Sequence, residues 1–480
     1  MMAPDSVQSA ALGSPLAPGL VLDGFRLEKR LHQGGMANLW AVSRVEPLAG
    51  EDFPLIMKVP RIKGGEDPAT IVGFEVEQMI VPALAGPHVP RFVARGDWTR
   101  QAYIVMERIP GESLRPRLDT APLPIDEVAD IGARVALALH ALHRQHVIHL
   151  DVKPSNIMFR DDGTVVFVDF GLSRHERLPD LLEEEFELPM GTGPYMSPEQ
   201  VQFVRNDPRS DLFALGVMLY HLATGERPFG QPDSVRGLRQ RLYREPVPPR
   251  VHNPAVPPWL QEIILRCLEV DPDRRHPSAA QLALDLRQPM GVQLTSRSQR
   301  MRTQGRLHQL RRWFATLGAE PHTAPATEQL ARSPITMVAL DVEGATPDLL
   351  EQIADATRRA VQTSPGARLA CVSVLKTARL GMDELTDSAG RSKHVMQLVA
   401  LRAWARPLAQ SLALDDGRLT FHVLEAPDVA AALVEFAAKS GADHIIMGAR
   451  SASTLRRYLG SVSTEVVAQA ECSVTVVRVK

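Results

Sequence analysis

Several side chains of this 480-residue chain have the types and spacing to handle a phosphoryl group. Asp151 and Lys153 stand two apart in VIHLDVKPSN, Asn156 closes that segment five residues after Asp151, and Asp169 follows in VDFGLS. Upstream, Lys58 ends PLIMK, and Glu77 lies 19 residues later in FEVEQMI. Moving a γ-phosphoryl group needs positioning and charge neutralisation more than covalent help: a cation on the phosphates, metal ions held by acids, and a base near the attacking hydroxyl. The chain carries lysines, carboxylates and an amide suited to each task. Any one acid alone would be read as a solvated or capping carboxylate; their joint order carries the chemical meaning.

These groups must be held by particular elements. Residues 25–110 alternate like strands, with one helical stretch near 69–84, so Lys58 falls at a strand end and Glu77 on the helix that follows. Glu75 competes with Glu77 for the partnership with Lys58, and the helical frame from Phe74 favours Glu77. From about 125 the pattern is helical, broken by a short strand pair at IMF and VVFVDF, and it stays helical to about 287. A small sheet-rich lobe at 25–110 and a larger helical lobe at 111–287 follow. From 334 to 480 apolar strands (ITMVALDV, RLACVSVL, TFHVLEA, HIIMGA, SVTVVRV) alternate with amphipathic helices, which predicts a doubly wound parallel α/β domain. Residues 1–24, rich in Pro, Ala, Ser and Gly, read as a flexible tail. Residues 288–333 hold several arginines but only Glu320 and Glu328 as acids, and read as a basic linker. Within it Leu307, Leu310, Trp313, Phe314 and Leu317 fall near one helical face opposite arginines, which can bind a membrane surface but is expected to dock on one of the chain's own domains.

Composition bounds the function class. With 44% hydrophobic residues and a formal net charge of -2, no global field points to nucleic acid or to an acidic membrane surface, and only local patches could do so. Cys267, Cys371 and Cys472 lack metal-ligand spacing and read as core filler in a reducing compartment. No run of roughly 20 apolar residues offers a membrane span, and the expected location is cytoplasmic.

The motifs VIHLDVKPSN and VDFGLS resemble the catalytic loop and metal-binding segment of protein kinases, closest to the eukaryotic-like kinases of bacteria, over about 260 residues. The resemblance implies an α+β bilobal kinase fold using ATP with Mg²⁺ or Mn²⁺. It makes Asp151 the base and Asn156 and Asp169 the metal ligands. Lys153, two residues after the base, is placed as in Ser/Thr kinases, where its ammonium reaches the γ-phosphate, so the expected partner is a protein substrate with a Ser or Thr hydroxyl. Lys58 and Glu77 match the family's ion pair that sets Lys58 on the α- and β-phosphates. YIVMERI matches the strand into the hinge, with Met106 as gatekeeper and the backbone of Glu107 and Ile109 facing adenine. Leu31, Gly34, Leu39 and Met158 complete the expected nucleotide pocket. GTGPYMSPEQ, SDLFALGV and DPDRRHPS supply Glu199, Asp211 and Arg275 as structural groups, with Glu199 and Arg275 an expected buried pair.

The pattern also departs from the family. In LHQGGMANLW, His32 and Ala37 replace the first and third loop glycines, and Ile56 stands where a small alanine is usual. These changes leave open a second reading, a nucleotide-sensing pseudokinase scaffold or stress-signalling interaction protein. Leu150 replaces the arginine that receives an activation-loop phosphate, and no Ser or Thr lies between Arg174 and Met190. Activity is therefore expected not to depend on a phosphate there. Glu183, Glu184, Glu185 and Glu187 read as a solvated face, or as a preference for basic substrates.

SGADHIIMGARSASTLRRYLGSVSTEVV resembles the universal stress protein family, whose G-x2-G-x9-G-[ST] loop holds ATP phosphates. Gly448, Gly460 and Ser461 match, while Ser451 replaces the middle glycine and the segment is one residue short. The resemblance places Asp341 as a nucleotide-contacting acid, and SVTVVRV as an edge strand for homodimerisation through this domain.

Overall fold

The structure is a computed structural model of residues 1–480 and describes residues 16–478 apart from 35, 47, 49–51, 62–67, 187, 233, 303–333, 365, 378–391, 415–417 and 450–459. The amphipathic stretch from Leu307 to Leu317, Ser451 and Glu187 lie outside the described residues.

The first lobe is a six-stranded antiparallel sheet of β1 (Val21–Leu22), β2 (Phe25–Gln33), β3 (Ala37–Arg44), β4 (Leu55–Pro60), β5 (Phe92–Gly96) and β6 (Tyr103–Glu107), in spatial order β1-β2-β3-β4-β6-β5. Helix α1 (Pro68–Ile80) follows β4. The expected tail at 1–24 ends early: Gly19 N–H donates to the Leu27 carbonyl at 2.7 Å, and Leu22 is buried under the sheet, so these residues extend the ladder.

The second lobe is built on α2 (Ile125–His143) and α3 (Arg209–Thr224), with α4 (Pro258–Cys267) and α5 (Ala279–Arg287) packed beside them. Helix α3 is buried on nearly every face, as its almost continuous apolar run LFALGVML dictates. Four short strands serve the catalytic segments: β7 (Val147–Ile148) pairs with β10 (Arg174–His175), and β8 (Ile157–Phe159) with β9 (Val165–Phe167). The expected linker at 288–333 starts late. The buried Glu262 carboxylate accepts Thr295 N–H and Ser298 N–H at 3.0 Å each and Arg297 Nε at 2.9 Å, which staples residues 295–298 to this lobe.

The C-terminal domain is a five-stranded, wholly parallel sheet of β11 (Ile335–Ala339), β12 (Arg368–Lys376), β13 (Leu419–Ala426), β14 (His444–Gly448) and β15 (Ser473–Val477), ordered β13-β12-β11-β14-β15. Strand alternation divides its core. Met337, Ala370, Val372 and Ile445 face α8 (Val429–Ser440), whereas Val338, Leu369, Cys371 and Ile446 face α6 (Pro347–Thr363) and α7 (Lys393–Leu412). With α9 (Ser461–Gln469) on the α8 side, the sheet is doubly wound as the strand–helix alternation predicts. The α7 face continues without a break into Ile71, Phe74 and Trp98 of the first lobe. Among the described residues no helix is long and apolar enough to cross a membrane.

Candidate active site

Lys58 comes from β4, Glu77 from the middle of α1 and Asp169 from the segment after β9, and the fold brings the three into direct contact. The Lys58 ammonium donates to Glu77 Oε2 at 2.5 Å and to Asp169 Oδ1 at 2.8 Å. Burial alone would pull the ammonium down, but the Asp169 and Glu77 carboxylates carry it above its ordinary value. Beside that ammonium the Asp169 carboxyl is held down at about 2, while burial pushes Glu77 up. Asp169 keeps 43% of its side chain exposed, so its second oxygen can be reached from solvent.

Asp151 is 6% exposed and fully engaged. Its Oδ1 accepts Thr192 N–H at 3.0 Å and Thr192 Oγ1 at 2.7 Å; its Oδ2 accepts Lys153 Nζ at 2.6 Å and Asn156 Nδ2 at 3.2 Å. Lys153 Nζ also reaches Thr192 Oγ1 at 3.1 Å, so the lysine sits between the carboxylate and the hydroxyl. Asn156 Nδ2 donates a further bond to the Asp151 carbonyl at 3.0 Å, which fixes the amide's orientation.

Two residues here hold left-handed backbone without being glycine: Leu150 at φ 60° and Asp169 at φ 67°. Such conformations cost roughly 1–3 kcal/mol each and persist where the surroundings over-determine them. Asp211 is the support for the first. From the start of α3 its buried carboxylate accepts the N–H groups of His149 and Leu150 at 2.9 Å each and bonds His143 Nε2 at 2.8 Å. His149 packs between Phe167 and Phe170, each ring centroid 5.2 Å away, tying this loop to the Asp169 segment. Below the site Arg275 meets Glu199 with two bonds of 2.6 and 2.7 Å, both side chains buried, and Ser210 Oγ adds a third at 2.7 Å.

The expected nucleotide pocket lies along the strands. Ile56 is paired with Met106 and Leu39 with Lys58, Met158 sits on β8, and Glu107 ends β6 with Ile109 just beyond it. At the loop between β2 and β3, Gly34 N–H donates to the Ala37 carbonyl at 3.0 Å, so a hairpin forms despite His32 and Ala37; Leu31, on β2, is 36% exposed. The Glu107 side chain has a role unforeseen from the motif: it takes Arg160 in two bonds of 2.5 and 3.0 Å, joining the hinge to the β8–β9 hairpin. The donor set suits a hard divalent cation. Asp169 offers an exposed carboxylate oxygen and Asn156 an oriented amide, and a Mg²⁺-type ion takes one or two protein oxygens with substrate phosphates and water completing its shell.

In the C-terminal domain, Asp341 follows β11, and Gly448 ends the neighbouring β14. The strand order reverses between these two strands, the crevice where doubly wound sheets take ligands. Gly460 caps α9 and Ser461 opens it. Asp341 Oδ1 accepts Gly344 N–H at 3.0 Å.

The acidic run is only partly a solvated face: Glu183 is exposed, whereas Glu184 and Glu185 are engaged. Glu184 and Glu185 are buried against the C-terminal domain, where Arg368 holds Glu184 in two bonds of 2.6 and 2.7 Å and His422 Nδ1 lies 2.8 Å from Glu185. Glu75, weighed above only as a rival to Glu77, has its own partner in Arg402. A run of acids with no hydroxyl to modify was the available signal, but it did not name the cations.

The chain matches the protein kinase domain over residues 63–285 and the universal stress protein family over 335–478. The loop at Gly34 and Lys58 lie ahead of the first match. It is 30% identical over 278 residues to the serine/threonine-protein kinase PknL of Mycobacterium tuberculosis, covering 58% of this chain and 68% of that protein. It is 32% identical over 235 residues to PknB of Mycobacterium leprae and 29% over 266 residues to a probable kinase PknB of Lactococcus lactis. These alignments cover 48% and 55% of this chain but only 38% and 42% of those relatives' lengths. Protein kinases use ATP with a divalent cation. By these matches the chain belongs to the bacterial serine/threonine-protein kinases and carries a universal stress protein domain behind its kinase domain.

Proposed function

We propose that this chain transfers the γ-phosphoryl group of ATP to Ser or Thr hydroxyls of a protein substrate. Asp151 accepts the hydroxyl proton, Lys153 sits where it meets the γ-phosphate, and Lys58, held by Glu77, takes the α- and β-phosphates. Asn156 and Asp169 would hold Mg²⁺ or Mn²⁺, which when bound would neutralise charge developing on the phosphates. Leu31, Gly34, Leu39, Met158 and the hinge backbone at Glu107 and Ile109 enclose the nucleotide. The observation that carries this reading is the simultaneous engagement of Lys58 by Glu77 and Asp169, with Asp151 tied to Lys153, Thr192 and Asn156. Transfer of labelled γ-phosphate to a mixed Ser/Thr peptide library tests it. Transfer by wild type and its loss in Asp151→Asn is the expected result. Folded wild type that transfers nothing with either Mg²⁺ or Mn²⁺ refutes catalysis and leaves the nucleotide-sensing scaffold.

A second nucleotide site is supported in the C-terminal domain by the juxtaposition of Asp341 and Gly448 at the strand-order reversal. Gly460 and Ser461 at the start of α9 would meet the phosphates. Strand β15 lies at the sheet edge, the geometry that suits homodimerisation. ATP binding by an Asp151→Asn, Lys58→Met variant, lost on adding Asp341→Ala, tests the first. Sedimentation of wild type against a Val476→Lys variant tests the second.

A further inference from the structure

We propose that the universal stress protein domain is the kinase's built-in activating partner, docking on α1 and the activation segment in the role an activation-loop phosphate fills elsewhere. The inference rests on the kinase reading above and assigns how that same site is held ready.

The contact surface joins the two kinase elements whose placement decides competence. Helix α1 carries Glu77 to Lys58, and two residues earlier Glu75 leaves the opposite side of the helix to pair with Arg402 of α7. The Arg402 guanidinium also lies over the Phe421 ring, 4.5 Å from its centroid. The activation segment contributes the short helix Leu181–Glu185, which packs directly against α1 and bonds Arg368 and His422 on β12 and β13. Arg368 is itself braced by Thr420 Oγ1 at 2.8 Å. Around these pairs Ile71, Phe74 and Trp98 of the kinase belong to one apolar cluster with Leu398, Leu401 and Phe421 of the docked domain. At the rim Arg406 reaches Asp97 at 3.1 Å.

Charge makes this docking more than an adhesive. Glu75, Glu184 and Glu185 lie close together, so α1 and the activation segment present carboxylates to one another across the contact. Left without counter-charges, carboxylates in such a place drive the two elements apart. Arg402 and Arg368 arrive from one domain and cancel that repulsion at two points, and His422 adds a hydrogen bond to Glu185 at 2.8 Å. Because Glu75 and Glu77 ride on one rigid helix, holding the first holds the second. A phosphate would draw an activation segment to an arginine of the catalytic loop; here Leu150 offers no such cation, and the segment's own acids are drawn to cations of the neighbouring domain.

The test uses full-length protein and two readouts, phosphotransfer kcat/KM and hydrogen exchange of α1 and residues 176–186. Arg368→Glu should lower kcat/KM by roughly 5–150-fold, the usual range of coupling between sites, and speed exchange in both elements. Arg402→Glu should do the same. The charge swaps Arg368→Glu with Glu184→Arg, and Arg402→Glu with Glu75→Arg, should restore both readouts, which separates lost docking from lost folding. Single reversals with wild-type kcat/KM and exchange overturn the proposal. So do swaps that rescue neither, and so does a reversal that raises activity, which would make the docking inhibitory. If wild type itself transfers no phosphate, the kinase reading fails on that result, and the docking claim stands or falls on exchange alone.

Discussion

Asp211 offers the sharpest test of how the active site is held, because one buried carboxylate carries two backbone bonds to the loop that presents Asp151 and a third to His143 at the end of α2. In Asp211→Asn one oxygen still accepts a backbone N–H of His149 or Leu150, while the new amide turns N–H toward the other donor. The lost bond is to a charged acceptor, worth about 1.5–3 kcal/mol, and the abandoned buried N–H adds about 1–3 kcal/mol, so the substitution should cost about 2.5–6 kcal/mol. For a domain of this size, each kcal/mol moves the thermal midpoint by about 2–4 °C, giving a drop of roughly 5–24 °C in the kinase transition. Leu150, at φ 60°, should be first to leave its conformation, carrying Asp151 with it. Differential scanning calorimetry reads the midpoint and labelled phosphotransfer reads the site. An asparagine variant with an unmoved midpoint and wild-type kcat would refute the claim that Asp211 supports the strained loop.

Arg275→Met strands the buried Glu199 carboxylate and should cost about 3–5 kcal/mol, while adding Glu199→Met recovers most of it; urea midpoints that do not differ between single and double variant would contradict the pairing. Arg160→Ala frees the Glu107 side chain at the hinge, so the KM for ATP should rise with little change in kcat, and steady-state kinetics over an ATP series checks the split. Docking of the C-terminal domain should vary with pH through Glu185 and His422. Burial, with Glu75 and Glu184 near, holds the Glu185 carboxyl well above its ordinary 4.5, and burial opposite Arg368 holds His422 well below 6.5. The docked pair then carries one proton, whereas the parted pair carries two below about pH 4.5, one between, and none above about 6.5. Docking thus takes up a proton at higher pH and releases one at lower pH, so it should be firmest between about 4.5 and 6.5. Interdomain fluorescence transfer that stays flat from acid to alkaline pH would remove this linkage.

What could be read from the chain, and what could not, follows sequence distance. Asp151, Lys153, Asn156 and Asp169 fall within two short segments whose local backbone already sets their relations, and Lys58 finds Glu77 through one strand and one helix. Glu75 was visible as an acid on that helix, but its partner Arg402 lies 327 residues on, in another fold. Arg368 meets Glu184 across 184 residues and His422 meets Glu185 across 237, so charge patterning alone pointed to solvent. The parallel sheet was legible because both its faces are covered, and near-continuous apolar strands say so. The edges of domains were not. Residues 19–22 and 295–298 look like tail and linker by composition, and long-range partners such as the Leu27 carbonyl and the Glu262 carboxylate assign them to the lobes.

A segment from Arg174 to Met190 without a single hydroxyl has a consequence for signalling. Kinases that record their activation as a phosphoester keep a memory, which lasts until a phosphatase erases it. This segment has nowhere to write. Whatever state it holds is stored in reversible contacts, and it relaxes at the rate at which those contacts open. No erasing enzyme is required, and none acting on that segment could silence the protein. On the docking proposed above, its output follows present conditions rather than past ones.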